Sequence, residues 1–177
     1  MGETTVGASA ATIETEDIFQ MVGFVVAGEL FGVDILMVQE IIKDITITAI
    51  PDSPDFIKGV INLRGNIIPV INLATRLKLD GSRRSHSDDG WIIVLNVGGR
   101  VTGFSVESVT RVIKVQADKI KPPPELVVSG LKSDYIRGVC KQDHRLLAIL
   151  DFNRILLVDE FKKLSAMNKT TDRRMTV

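Results

Sequence analysis

The chain has little of what most functional classes require. Its single cysteine, Cys140, excludes an internal disulfide, and its 2 histidines, His86 and His144, stand too far apart for metal-ligand spacing. A reducing cytoplasm and no metal are the expectations. Aromatic residues make up only 5% of the chain, and Lys+Arg 22 balance Asp+Glu 22, so neither a basic excess nor a row of stacking rings is available to hold nucleic acid. The N-terminus lacks a basic leader and a long apolar core, and charged or turn residues interrupt every later apolar run before it could span a bilayer. What the chain does have is apolar residues, 45% of 177, distributed in short runs. That length suits one compact domain or two small sub-barrels sharing a core.

Residues 1–16 are small, polar and acidic without periodicity, and read as a disordered tail. From Asp17 the pattern changes to short stretches rich in Val, Ile and Phe, separated by Gly, Asp and Pro, which predicts an all-β fold. Four hairpins can be proposed. Residues 18–27 and 30–34 flank Gly28-Glu29, 59–63 and 67–73 flank Arg64-Gly65-Asn66, 91–97 and 101–106 flank Gly98-Gly99, and 135–140 and 145–150 flank Gln142-Asp143-His144. Residues 81–90 form a polar loop, Pro122-Pro123-Pro124 a stiff connection, and 153–167 the one long helical pattern.

An internal repeat organises these pieces. FIKGVINLRGNIIPVINLATRL, residues 56–77, lies without a gap over YIRGVCKQDHRLLAILDFNRIL, residues 135–156, at an offset of 79. Upstream, VQEII from Val38 recurs as VTRVI from Val109, at an offset of 71. The chain therefore divides into halves of roughly 17–90 and 91–156. Each half alone would bury too little surface, so two small barrels packed on one another are expected, with the seam between them as a natural groove.

The polar residues do not assemble a recognisable chemistry. Gly98-Gly99 lies between strands, not before a helix, so it reads as a hairpin turn and not as a phosphate loop. Cys140 and His144 fall on opposite sides of a proposed hairpin tip, which makes Cys140 a small hydrophobe in place of a nucleophile. Arg64 crowds donors onto an exposed turn with Asn62 and Asn66; by position alone it is a solvated arginine. Val38, Val109 and Val112 read as core by residue type, yet they recur at matching places in both halves and would approach the seam together, where an apolar groove could take a helix.

The segments FGVDILMVQEI, IPDSPDFIKGVINLRGNIIPVINL and VTGFSVESVTRVI, together with the PPP segment, resemble the CheW family of chemotaxis adaptors. The resemblance runs from about Phe19 to about Glu160. It implies a CheW-like domain over 17–160, made of two intertwined SH3-like five-stranded barrel halves sharing a core, followed over 161–177 by the end of a C-terminal helix and a flexible tail. It also implies a non-catalytic adaptor without cofactor, cytoplasmic and recruited to membrane-associated arrays. Such an adaptor couples the cytoplasmic tips of methyl-accepting chemoreceptors to the regulatory domain of the CheA histidine kinase. Carried over by motif, Val38 and Glu40 of VQEI, Arg64 of NLRG, and Val109 and Val112 of SVTRV line the receptor side, which reverses the solvated reading of Arg64. Val33 and Ile35 of GVDI are candidates for the kinase side. Asn72 and Ala74 depart from the PVIDLR pattern of the family, and the 79–90 linker is distinctive.

Two related readings differ by what they add. An adaptor of the CheV type carries a receiver domain with an acidic phosphorylation pocket, and a kinase carries catalytic motifs; the stretch after Glu160 is too short for either. A small-ligand enzyme on the same scaffold would need a polar constellation in the seam, where the residues expected are apolar.

Overall fold

The computed structural model describes residues 17–79, 90–123 and 133–156. Within them the chain runs β1 (Ile18–Val26), β2 (Glu29–Asp34), β3 (Val38–Lys43), β4 (Ile57–Leu63), β5 (Asn66–Asn72) and a four-residue helix α1 (Leu73–Arg76). It then repeats the series as β6 (Trp91–Val97), β7 (Arg100–Val106), β8 (Ser108–Gln116), β9 (Ile136–Gln142), β10 (Arg145–Leu150) and α2 (Phe152–Ile155). All four expected hairpins form. The expected tails at 1–16 and 161–177, and most of the 81–90 loop, lie outside the described residues, as does the expected helix beyond Leu156.

The strands form two five-stranded sheets, β8-β1-β2-β10-β9 and β3-β6-β7-β5-β4. Each sheet closes on itself. In the second, the segment after β3 returns to β4 through a bridge between Thr48 and Val60; in the first, the segment after β8 returns to β9 through a bridge between Lys121 and Val139. Closure removes most of the exposed edge that a flat sheet of this size would carry. Glycine permits the crossing: Gly59, at φ +151°, lies directly against the Thr48 carbonyl, where a Cβ has no room.

Sheet and repeat do not coincide: the two halves are intertwined, and neither makes a barrel of its own. The first barrel takes β1 and β2 from the first repeat and β8, β9 and β10 from the second, while the second barrel takes the complementary set. The exchange is joined by parallel pairing of β10 with β2 and of β5 with β7. Neither half can therefore complete a barrel without the other.

This arrangement explains why strands such as Trp91–Val97 and Arg145–Leu150 carry near-continuous apolar runs in place of strict alternation: both faces are buried. Met21, Val115, Cys140, Leu147 and Ile149 fill the first barrel, and Ile61, Ile68, Val70, Ile92 and Val94 fill the second. The opposite faces meet in one shared core that includes Val22, Phe24, Phe31, Ile71, Ile93, Phe104 and Leu150. Phe152 of α2 is the keystone there, with ring centroids 6.4 Å from Phe24 and 4.8 Å from Phe104. The helices α1 and α2 begin alike: Asn72 caps α1 by accepting from the Thr75 N–H, and Asp151 caps α2 by accepting from Asn153 and Arg154.

Candidate functional site

Edge strands β3 and β8 carry most of the residues singled out from the sequence, and they occupy equivalent positions in the two barrels. Val38 pairs with Leu95 and Val109 with Phe24, both in the shared core, and both valines are half-buried against that core. The two strands then bulge at equivalent places. On β3 the register shifts between Val38 and Glu40; on β8 it shifts opposite Gly23, where Thr110 fills the space that a side chain would need. A bulge re-aims the following side chain. Glu40 and Arg111 are those residues.

Beyond each bulge the strand regains its alternation. Ile41 pairs with Ile93 and Val112 with Val22, so both point to the shared-core side, but at its rim, where they are 38% and 47% exposed. Val38 and Ile41 thus form an apolar strip on one barrel, and Val109 and Val112 its counterpart on the other. Ile41 was not singled out from the sequence, although it lies at the 71-residue offset from Val112 and could have been found that way.

Arg64 is the tip residue of the β4–β5 hairpin, in a left-handed conformation with φ 53°. Asn62 steadies the turn by accepting from the Gly65 N–H at 2.9 Å. The Arg64 guanidinium donates to a Glu40 carboxylate oxygen at 3.4 Å, with the arginine 80% exposed and the glutamate 29%. The structure therefore joins Glu40 and Arg64 across the closure of the second barrel. At this exposure and length the pair adds little to stability, and its donors stay accessible to a second carboxylate.

The two kinase-side candidates fare differently. Val33 is fully buried, at 0% exposure in the shared core and paired with Val22, which corrects its assignment as a contact residue. A side chain without surface can support a neighbour but cannot touch a partner. Ile35 opens a 3-10 turn over Ile35–Met37, half-buried on the same core, and Asp34 caps this turn by accepting from the Leu36 N–H at 2.9 Å. The turn presents Leu36, 90% exposed, which the sequence reading passed over. Nothing in local pattern distinguishes Leu36 from the buried aliphatics around it.

Cys140 and His144 do not come together. Cys140 is buried inside the first barrel beside Leu147, and its thiol donates to the Lys141 carbonyl, while His144 lies on the exposed β9–β10 turn. Among the described residues no group of three or more His, Cys, Asp or Glu is placed to hold a metal ion, and no helix is long and apolar enough to cross a membrane.

The family model for the CheW-like domain matches residues 20–160. A chemotaxis protein CheW from Treponema pallidum (strain Nichols) is 36% identical over 149 residues, covering 83% of this chain and 87% of the relative. One from Klebsiella aerogenes is 39% identical over 137 residues, covering 77% and 81%. The crystal structure of the scaffolding protein TtCheW from Thermoanaerobacter tengcongensis superposes with a TM-score of 0.71 at 37% identity, over 80% of this chain and 94% of that one.

Proposed function

The chain belongs to the CheW-like family, and from that premise we propose that it is a non-catalytic chemotaxis scaffold that holds a chemoreceptor tip and the CheA kinase regulatory domain at separate surfaces. The observation that carries the receptor surface is the matched pair of apolar strips on β3 and β8, flanked by the Glu40–Arg64 ion pair. Val38 and Val109 are backed by the shared core, and a helix laid on them would bury its apolar stripe against Ile41 and Val112 as well. Arg64 at the rim would add a charge-assisted bond to a carboxylate of that helix. The division of labour between apolar centre and charged rim is that of a protein docking surface.

For the kinase we propose the 3-10 turn, with Leu36 as the contact, Ile35 beneath it and Val33 as buried support. Leu36 is the most exposed large aliphatic among the described residues, and a turn capped by Asp34 that presents it is an economical anchor for a hydrophobic pocket. The setting we propose is the cytoplasm, with recruitment to receptor arrays through the β3 and β8 surface.

Separable variants test this division. In calorimetric titrations, Val38→Ala and Arg64→Ala should each weaken binding of a receptor-tip fragment about tenfold while leaving the kinase regulatory domain bound, and Leu36→Glu should do the reverse. A folded Arg64→Ala protein that binds the receptor fragment like wild type would remove Arg64 from the site. Loss of both partners from every variant would show one shared surface, not two.

A further inference from the structure

The two barrels close in the same way. In the second barrel Glu40 on β3 meets Arg64 on the β4–β5 tip; in the first, Arg111 on β8 meets Asp143 on the β9–β10 tip. These are equivalent positions, Arg111 lying 71 residues after Glu40 and Asp143 lying 79 after Arg64. Both tip residues are left-handed, at φ 53° and 52°. Both strand residues follow the equivalent bulges, and each is followed in turn by an exposed aliphatic, Ile41 or Val112. What changes is the placement of charge: the cation sits on the tip in one closure and on the strand in the other.

Fold stability does not require the second pair. Arg111 and Asp143 are 80% and 81% exposed, and their 3.7 Å separation exceeds hydrogen-bond length, so the interaction is weak and readily exchanged. The surrounding charges indicate what would replace Asp143. Lys114 follows on β8, Lys141 and Arg145 flank the tip, and all three are exposed, with Arg145 also donating to the Gly28 carbonyl at 3.1 Å. Even with Glu29 beside Gly28 counted with Asp143, two carboxylates face the four cations Arg111, Lys114, Lys141 and Arg145, which leaves a field that attracts anions and repels a basic side chain. A guanidinium next to an exposed valine is suited to take a carboxylate in bidentate fashion while the valine packs beneath the same helix.

We propose that Arg111 is a second arginine of the receptor groove, so that the docked helical partner presents acidic side chains at two places, one to Arg64 and one to Arg111, with its apolar face on the strips between. This rests on the receptor reading given above and adds a residue and a charge pattern to it. Asp143 is then an internal competitor that holds Arg111 until the partner carboxylate displaces it.

The test is a calorimetric titration of the full chain with a receptor-tip hairpin fragment and, separately, with the kinase regulatory domain. Arg111→Ala should weaken the receptor fragment about tenfold, with kinase binding and thermal midpoint unchanged. Arg111→Lys should recover only part of that loss, because an ammonium cannot form the two-pronged bond. Asp143→Asn should tighten the fragment several-fold by removing the competitor. If Arg111→Ala titrates like wild type while Arg64→Ala is weakened, the proposal is overturned and the groove stands without it. If folded wild type does not bind the fragment at all, the failure lies in the receptor reading itself.

Discussion

Arg76 stands where the two repeats meet, and replacing it measures how strongly they are coupled. It belongs to α1 of the first repeat, yet its Nε donates to the carbonyl of Ile155 in α2 at 2.9 Å. Its guanidinium also lies between two rings at equivalent positions in the repeats, 5.4 Å from the centroid of Phe56 and 5.2 Å from that of Tyr135. Both rings are fixed by the same backbone bond, from Asn72 to the Phe56 carbonyl and from Asp151 to the Tyr135 carbonyl. A charged donor on a half-buried carbonyl contributes about 1.5–3 kcal/mol, and each partly desolvated ring contact about 0.5–1 kcal/mol. Arg76→Ala should therefore destabilise by about 3 kcal/mol, which for a chain of this size lowers the thermal midpoint by roughly 6–12 °C. Arg76→Lys should fall between, since it keeps a cation but loses the planar stacking. Denaturant melts monitored by circular dichroism at 25 °C give the number directly. A loss below about 0.5 kcal/mol for the alanine variant would refute the coupling and leave Arg76 as a solvated surface residue.

Other expectations follow from the same packing. Phe152→Ala removes the ring that joins Phe24 to Phe104 and should cost about 3–5 kcal/mol in equilibrium unfolding, with both barrels losing protection together in hydrogen exchange. Gly59→Ala forces a Cβ onto the Thr48 carbonyl at a backbone angle that L-residues avoid, so it should destabilise by more than about 2 kcal/mol in the same melts. Leu36→Glu, at a 90% exposed site, should leave the melt within about 0.5 kcal/mol of wild type while weakening the kinase domain. Cys140, buried in the first barrel, should react with a disulfide reagent only at the rate of opening, and a fast reaction in native buffer would contradict its placement.

Much of this fold was legible because the hairpins combine strong punctuation with apolar runs. Gly98-Gly99 and Arg64-Gly65-Asn66 each mark a reversal that the structure places where expected. Strands β3 and β8 were harder to identify: as bulged, mostly half-exposed edge strands, VQEIIK and SVTRVIKVQ show neither clean alternation nor a continuous run. The repeat was visible at residue level, but which strands each barrel takes from which half was not, since pairing partners depend on long-range packing that a periodic pattern does not encode. Burial separates the site residues for a similar reason. Val33 and Leu36 are both aliphatic, within three positions of one another, and only the turn capped by Asp34 sends one into the core and the other into solvent. Arg111 was in plain view as the counterpart of Glu40, but reversed charge disguised the equivalence.

The defining property of a coupling scaffold is that it holds both partners at once. The most direct test is analytical ultracentrifugation of the receptor-tip fragment and the kinase regulatory domain, alone and with this chain added. If the two surfaces are separate, a ternary species should form with the folded wild-type chain and disappear with either Arg64→Ala or Leu36→Glu. If wild-type protein binds each partner but never both, the surfaces overlap and coupling fails. If it binds neither, the adaptor reading fails for these partners.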